Sequence, residues 1–257
     1  MTTRHFTLTV GLAAAIAACS SWSAGGIISV PYWNDFSVDA DDFSTLGTWT
    51  LDTSNQVYNT TISAASTESR ALVTASDLGG SPTTAKSFWM SSDFTINQLS
   101  GGSPATIGLR ALSTYTADIQ EGGGMRIWGG SLNTNVIGTF PGGLQTDTLY
   151  TMSLLGTYYG DKLTLEFSVT DGTLTTSVSR EGIASPATGQ DFGLRNRTSS
   201  TYSQPLDVDF HNFTLIPEPS SFLLAVLGLT VLVPARRRRV RFSSCRGTRD
   251  AKVCREK

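Results

Sequence analysis

Cysteine, histidine and helical patterning are scarce in this 257-residue chain. Its three cysteines, Cys19, Cys245 and Cys254, lie near the two ends. The stretch between them can therefore build neither a disulfide framework nor a cysteine-based metal site. His211 is the one histidine in that stretch, which leaves a Ser-His-Asp triad or a histidine-rich zinc site little material. Basic residues are few as well: over residues 25–216, eight Lys and Arg stand against 14 Asp and 4 Glu, a net charge of −10, whereas the whole chain carries −2. Nucleic acid and anionic lipid select for clustered Lys and Arg, so this balance argues against both as partners. No window of helical length carries an apolar stripe at 3.6-residue spacing, which excludes a helical bundle.

The two ends are patterned differently from the middle. In Met1–Ala24, Arg4 and His5 precede an apolar run from Phe6 to Ala18, and small residues follow. This is the plan of a secretory signal peptide, too short for a spanning helix, with signal peptidase as the implied partner. Ile16, Ala17, Ala18 and Cys19 also resemble a lipobox, which would make Cys19 a lipidated N-terminus. At the other end, Pro217, Glu218 and Pro219 lead into an apolar run from Phe222 to Val233, then Arg236, Arg237, Arg238 and Arg239. The run of about 12 residues before Pro234 is short against the roughly 20 of an ordinary span. The arginines would hold the cytoplasmic side of a membrane by the positive-inside bias, and the prolines keep the segment before them extended.

That order resembles the PEP-CTERM sorting signal. The resemblance implies an exosortase, a membrane peptidase that processes the protein during export, as a further partner, and a transient inner-membrane anchor in the C-terminal helix. The resemblance makes residues 217–240 the sorting and anchor segment. Residues 241–257 form a basic tail that departs from the family pattern, and a plain anchor without sorting is the competing reading. The resemblance implies an address at the cell surface or in the extracellular matrix.

Residues 25–216 read as strands and turns. Leu163, Leu165, Phe167 and Val169 alternate with Thr164, Glu166, Ser168 and Thr170, the period of a strand with one buried face. Asp171 and Gly172 predict a hairpin turn, with Thr173 to Ser179 returning and Leu174 and Val178 on one side. Similar runs occur at 27–32, 43–51, 57–63, 71–75, 88–96, 106–112, 125–128, 150–155 and 206–215, punctuated by Gly and Ser clusters. Many half-apolar strands must bury one face, so the expected architecture is all-β, an antiparallel two-sheet jelly-roll sandwich. Asn34, Asp35, Phe36, Asp41, Asp42, Phe43 and Trp49 near the start resemble concanavalin A-like and laminin-G-like jelly rolls. So do the segments Ser91–Thr95, Asp191–Arg195 and Asp207–Phe213.

Candidate sites follow from residue type and spacing. Asp207, Asp209 and His211 would share one face of a strand at a repeat of roughly 6.5–7 Å; a cation site and a solvated acidic face both fit. Asp35, Asp39, Asp41 and Asp42 offer oxygens that calcium accepts, and the jelly-roll resemblance implies Ca2+ in such loops; a solubilising turn also fits. Arg126 and Trp128, with Gly on both sides, are the best-placed ligand-binding pair, whereas aromatics such as Trp33, Trp49, Trp89, Tyr115, Tyr158 and Tyr159 are expected mainly in the core. Gly122, Gly123 and Gly124 lack the strand-to-helix context of a phosphate loop. No Glu-x-Asp-x-x-Glu run provides the carboxylate pair of a jelly-roll glycosidase. The expectation is a non-enzymatic surface or matrix protein that binds carbohydrate. A hydrolase acting on extracellular polysaccharide and a purely structural coat protein remain as alternatives.

Overall fold

The computed structural model describes residues 27–78, 86–101, 105–184, 190–201 and 203–217. The leader, Glu218, Pro219, the cluster Arg236 to Arg239 and the 241–257 tail lie outside the described residues. All regular structure described is β: β1 (Ile27–Ile28), β2 (Tyr32–Asn34), β3 (Ser44–Leu46), β4 (Trp49–Asp52), β5 (Val57–Ile62), β6 (Glu68–Ala75), β7 (Phe88–Gln98), β8 (Thr106–Ala111), β9 (Tyr115–Gln120), β10 (Gly124–Trp128), β11 (Gly138–Thr139), β12 (Leu149–Tyr159), β13 (Lys162–Thr170), β14 (Thr175–Ala184), β15 (Asp191–Arg197), β16 (Leu206–Phe210) and β17 (Phe213–Pro217).

They form the expected two-sheet sandwich. An eight-stranded sheet runs β1-β6-β15-β8-β9-β10-β11, with β3 also on β6; a nine-stranded sheet runs β14-β13-β12-β7-β16-β5-β4, with β17 between β7 and β2. All pairs are antiparallel except the two-residue contact of β1 with β6. Inner and outer positions alternate along most of the long strands. Along β13, Leu163, Leu165, Phe167 and Val169 are fully buried. Phe88 on β7 meets Phe192 on β15 edge-on across the sandwich, ring centroids 5.1 Å apart, and Phe94 stacks on Tyr150 at 5.4 Å. Each such side chain contributes about 1.5–3 kcal/mol by leaving water.

Three local expectations are corrected. The hairpin between β13 and β14 has a four-residue loop, with Thr170 opposite Thr175. The carboxylate Oδ1 of Asp171 accepts the N–H of both Thr173 and Leu174, so Leu174 sits in the turn, 39% exposed, while Val178 is buried as expected. The run from Leu206 to Leu215 is two strands. Both pair with β7, but the chain breaks at His211 and Asn212, where one extra residue shifts the register: Phe210 faces Phe94 and Thr214 faces Ser91. Last, β17 continues through Pro217, opposite Phe88, so the sandwich reaches the first residue of the Pro-Glu-Pro motif.

Candidate functional site

In β6, β15, β8, β9 and β10 of the eight-stranded sheet, alternation sends one set of side chains to the core and the other to the outer face. The outward set contains Arg70, Arg195, Arg197, Arg110 and Arg126, five of the six arginines in residues 25–216, against Glu68, Asp118 and Asp191. The opposite outer face, on the nine-stranded sheet, presents Asp93, Glu166, Asp207 and Asp209 with Lys162. Five of the eight basic side chains in residues 25–216 thus lie on one outer face of a domain of net negative charge, and a local potential follows from that clustering.

Strand register arranges the positive face in rows. One row reads Arg70, Arg195, Gly108, Asp118, Arg126 across β6, β15, β8, β9 and β10. The neighbouring row reads Leu72, Gly193, Arg110, Thr116, Trp128. Gly108 is the hinge of the first row. A Cβ there would lie 2.3 Å from the Ala117 carbonyl oxygen and 2.7 Å from Asp118 Cβ, so no side chain fits, and the Arg195 guanidinium crosses β8 toward Asp118 unobstructed.

Asp118 is the centre of the cluster and is fully buried. It accepts Arg126 Nε at 2.7 Å and Nη2 at 2.8 Å as a fork, and the Trp128 indole N–H at 2.8 Å. Arg195 Nη1 lies 3.6 Å away, while Arg195 Nη2 donates to Glu68 at 2.9 Å. The Arg195 guanidinium also lies over the Trp128 ring, 4.8 Å from its centroid, a cation–π contact. Two strands thereby fix the indole from its edge and its face.

The network leaves capacity unused. Arg195 Nε and Nη1, Arg110 Nε and the hydroxyls of Thr106 and Thr116 are buried without a hydrogen-bond partner. A buried, unpaired donor costs about 1–3 kcal/mol, and buried ion pairs add little net stability over apolar packing. Stability alone therefore does not explain this cluster. Burial pushes the Glu68 carboxyl up, but the Arg195 hydrogen bond and the charges of Arg195, Arg70 and Arg110 outweigh it and hold Glu68 below the usual range. For Arg110, burial and then the neighbouring charge of Arg70 pull its proton affinity down.

Arg126 and Trp128, singled out in the sequence, are both in this cluster, but not for the expected reason. They are outward residues of a strand inside the sheet, and the flanking glycines close tight turns rather than leave loops open: Gly123 donates to the Gln120 carbonyl, and Leu132 to that of Gly129. The remaining aromatics divide. Tyr115 is buried, Trp49 packs on Tyr58 and Phe210, and Trp33 and Tyr159 are 56% and 70% exposed.

The six candidate metal ligands do not converge. Among the described residues, no three His, Cys, Asp or Glu side chains form a group that could hold a metal ion. Asp207 and Asp209 both accept the Nδ2 amide of Asn59, at 2.6 and 2.7 Å, so a donor occupies the place a cation would take. His211 is outside β16 and pairs with the Thr95 hydroxyl at 2.9 Å. Asp35 Oδ1 accepts the N–H and hydroxyl of Ser37. The segment it belongs to is a plug: Phe36 and Phe43 are buried and pack on each other and on Tyr58 at 5.2–5.9 Å. Asp39, Asp41 and Asp42 solvate the outside of that plug, with Asp42 next to the Tyr32 hydroxyl. This donor set does not fit calcium, which needs six to eight oxygens.

No protein-family model and no curated protein matches the chain. Solved structures do. A seed lectin from Lotus tetragonolobus is 14% identical with a TM-score of 0.55, covering 74% of this chain and all of its own. Lectin UEA-II, solved with galactose, is 14% identical with a TM-score of 0.52, covering 73% and 98%. The exoplasmic/lumenal domain of VIP36, in its Ca2+/Man3GlcNAc-bound form, is 14% identical with a TM-score of 0.52, covering 72% and 87%. Together with the strand order described above, these likenesses show the fold: the middle of this chain is a lectin-like, concanavalin A-like jelly-roll sandwich.

Proposed function

We propose that this chain is an exported, non-enzymatic carbohydrate-binding protein of the cell surface or extracellular matrix, and that it binds through the outer face built on Asp118, Arg126, Trp128 and Arg195. The observation that carries this reading is the pre-organised indole. Trp128 is fixed at its N–H by Asp118 and at its face by Arg195, beside buried donors that have no partner. A rigid aromatic held in one orientation suits a ring that offers apolar faces. The lectin-like sandwich supports the same conclusion.

A hydrolase is disfavoured because the buried Asp118 and the half-buried Glu68 are both tied to arginines and neither is available as acid or nucleophile. Export by the N-terminal leader and processing by an exosortase at Pro217, Glu218 and Pro219 belong to the same proposal, because β17 delivers the chain to Pro217 directly from the sheet. The test is binding of the purified protein to a glycan array and to the exopolysaccharide of the producing cells, with release of reducing sugar followed in parallel. Saturable binding without sugar release is expected. Absence of binding to every glycan would overturn it in favour of a structural coat, and sugar release would overturn the non-enzymatic assignment.

A further inference from the structure

Resting on the export and anchor reading, we propose that the part of the nine-stranded sheet from which β17 leaves the sandwich is a second contact surface, and that it lies against the interfacial region of a zwitterionic lipid bilayer. Register places Ile216, Trp89 and Leu155 side by side on the outer face of β17, β7 and β12. Trp33 on β2 stands opposite Thr214, one outward position from Ile216. Direct cross-strand neighbours are about 4.5–5.5 Å apart at Cβ and diagonal ones about 7–8 Å, within reach of an indole. Tyr159 extends the same face at the end of β12, two outward positions beyond Leu155. Trp33 and Tyr159, 56% and 70% exposed, are the two exposed aromatic side chains among the described residues, and this one surface carries both. Charge is arranged around it. Asp207 and Asp209 are on β16, which pairs with the other half of β7, and Asp93 is engaged by Thr151 and Asn212. Glu166, next to Leu155, ends the apolar row, and at the tip beside Tyr159 the Lys162 ammonium pairs with Asp161 at 3.7 Å.

The course of the chain names the occupant. β17 brings it to Pro217 opposite Phe88, the residue before Trp89, and the apolar run from Phe222 to Val233 starts five residues later. Five residue steps span at most roughly 17–18 Å. A run that enters a bilayer therefore keeps Trp89 and Ile216 close to that bilayer's surface. Trp and Tyr favour the headgroup level, where an apolar ring lies in the interface and its polar edge stays wet. The net charge of −10 over residues 25–216 repels anionic headgroups, which selects a zwitterionic surface. A second copy of the chain is a poorer occupant: the patch offers roughly 400 Å2, about half of the 800 Å2 per partner that a stable protein interface buries. A bilayer that already holds the chain is at high effective concentration, so a small contact suffices. Its effect is to hold Pro217 at the membrane surface, within reach of a membrane peptidase acting on the motif that begins there.

The test reconstitutes the full-length chain in phosphatidylcholine vesicles, plain or brominated on the upper acyl chain, and follows tryptophan emission. The Trp33 signal is the difference between wild type and Trp33→Phe, in which the other four tryptophans cancel. It is expected to be blue-shifted from that of an indole in water and to lose about half its intensity or more in brominated lipid, because a ring about 5–10 Å into the interface reaches the bromines. The Trp128 signal, obtained in the same way from Trp128→Phe, should be equal in both lipids. Tyr159→Trp should add a quenched signal, whereas Leu174→Trp, in the turn at the opposite end of β13, should add an unquenched one. Both positions are exposed, so this pair decides the question even where Trp33→Phe disturbs folding. Flotation of the vesicles is followed in parallel. A chain that does not float with them would overturn the anchor reading and this inference with it. A floating chain with unquenched signals at positions 33 and 159 would overturn this inference alone. A Trp33 signal that is blue-shifted yet untouched by brominated lipid would also overturn it, by assigning the patch to a second copy of the chain.

Discussion

Replacing Asp118 by Asn tests how much the buried network matters to the fold. The carboxylate accepts three N–H groups from Arg126 and Trp128 and faces a fourth from Arg195. Asparagine keeps one acceptor oxygen and turns the other toward its donors as an NH2 group, and it removes the one carboxylate paired with Arg126 among the described residues. Removing one partner of a buried ion pair costs about 3–5 kcal/mol. The retained acceptor recovers about 1 kcal/mol, so a loss of about 2–4 kcal/mol is expected. With a urea dependence of about 2 kcal/mol/M, the unfolding midpoint followed by tryptophan fluorescence should fall by about 1–2 M. A second substitution, Arg126→Gln, removes the stranded cation, and the pair should be less harmful than the sum of the singles by about 0.5–3 kcal/mol. A loss below about 0.5 kcal/mol, typical of surface changes, or strict additivity, would refute the claim that Asp118 organises this face.

Gly108→Ala should destabilise by about 1–3 kcal/mol through overpacking, because its Cβ meets backbone at 2.3 Å, whereas Gly122→Ala, with nothing within 4 Å, should leave the thermal midpoint nearly unchanged. The folded carboxyl of Glu68 lies below its unfolded value of 4.5. Its stabilisation is therefore complete above pH 4.5 and lost as the pH falls through the lower folded value; Glu68→Gln should flatten that acid limb of the stability curve. Saccharide affinity should be the same with calcium and with a chelator, since Asn59 and Ser37 already engage the candidate ligands; a chelator-dependent loss would show a metal site that the aspartates described here do not form.

The sandwich was legible because β7, β12 and β13 place large apolar side chains at most of their inner positions, among them Phe88, Met90, Phe94, Ile96, Tyr150, Met152 and Leu154. The proposed binding face was legible only at Arg126 and Trp128, which sit two residues apart on one strand. Its other members come from strands that hide in the sequence. β9 places Ala117 at the middle of its inner face, a weak apolar signal, so Asp118 went unnoticed. β6 starts at Glu68, but Ser69 points inward and is satisfied by the Thr60 hydroxyl at 2.8 Å; a polar inner residue breaks the alternation and conceals Arg70. Gly108 falls inside the expected strand at 106–112 and Gly193 inside the segment Asp191–Arg195, but only register shows that each faces a neighbouring strand's backbone too closely for a Cβ. The aspartates misled in the opposite direction, because spacing along the chain cannot reveal that an asparagine on β5 bridges Asp207 and Asp209.

The most direct test follows the indole N–H resonances of the tryptophans by NMR while the saccharide that binds on the array is added. Five tryptophans occur in the chain, and each gives one such signal. Trp128 should shift with the same saturation as the bound fraction, together with the Nε–H signals of Arg110 and Arg195, while Trp33, exposed on the opposite sheet, stays still. Movement of Trp33 or Trp89 with Trp128 unaffected would contradict the central claim and place saccharide binding on the nine-stranded sheet.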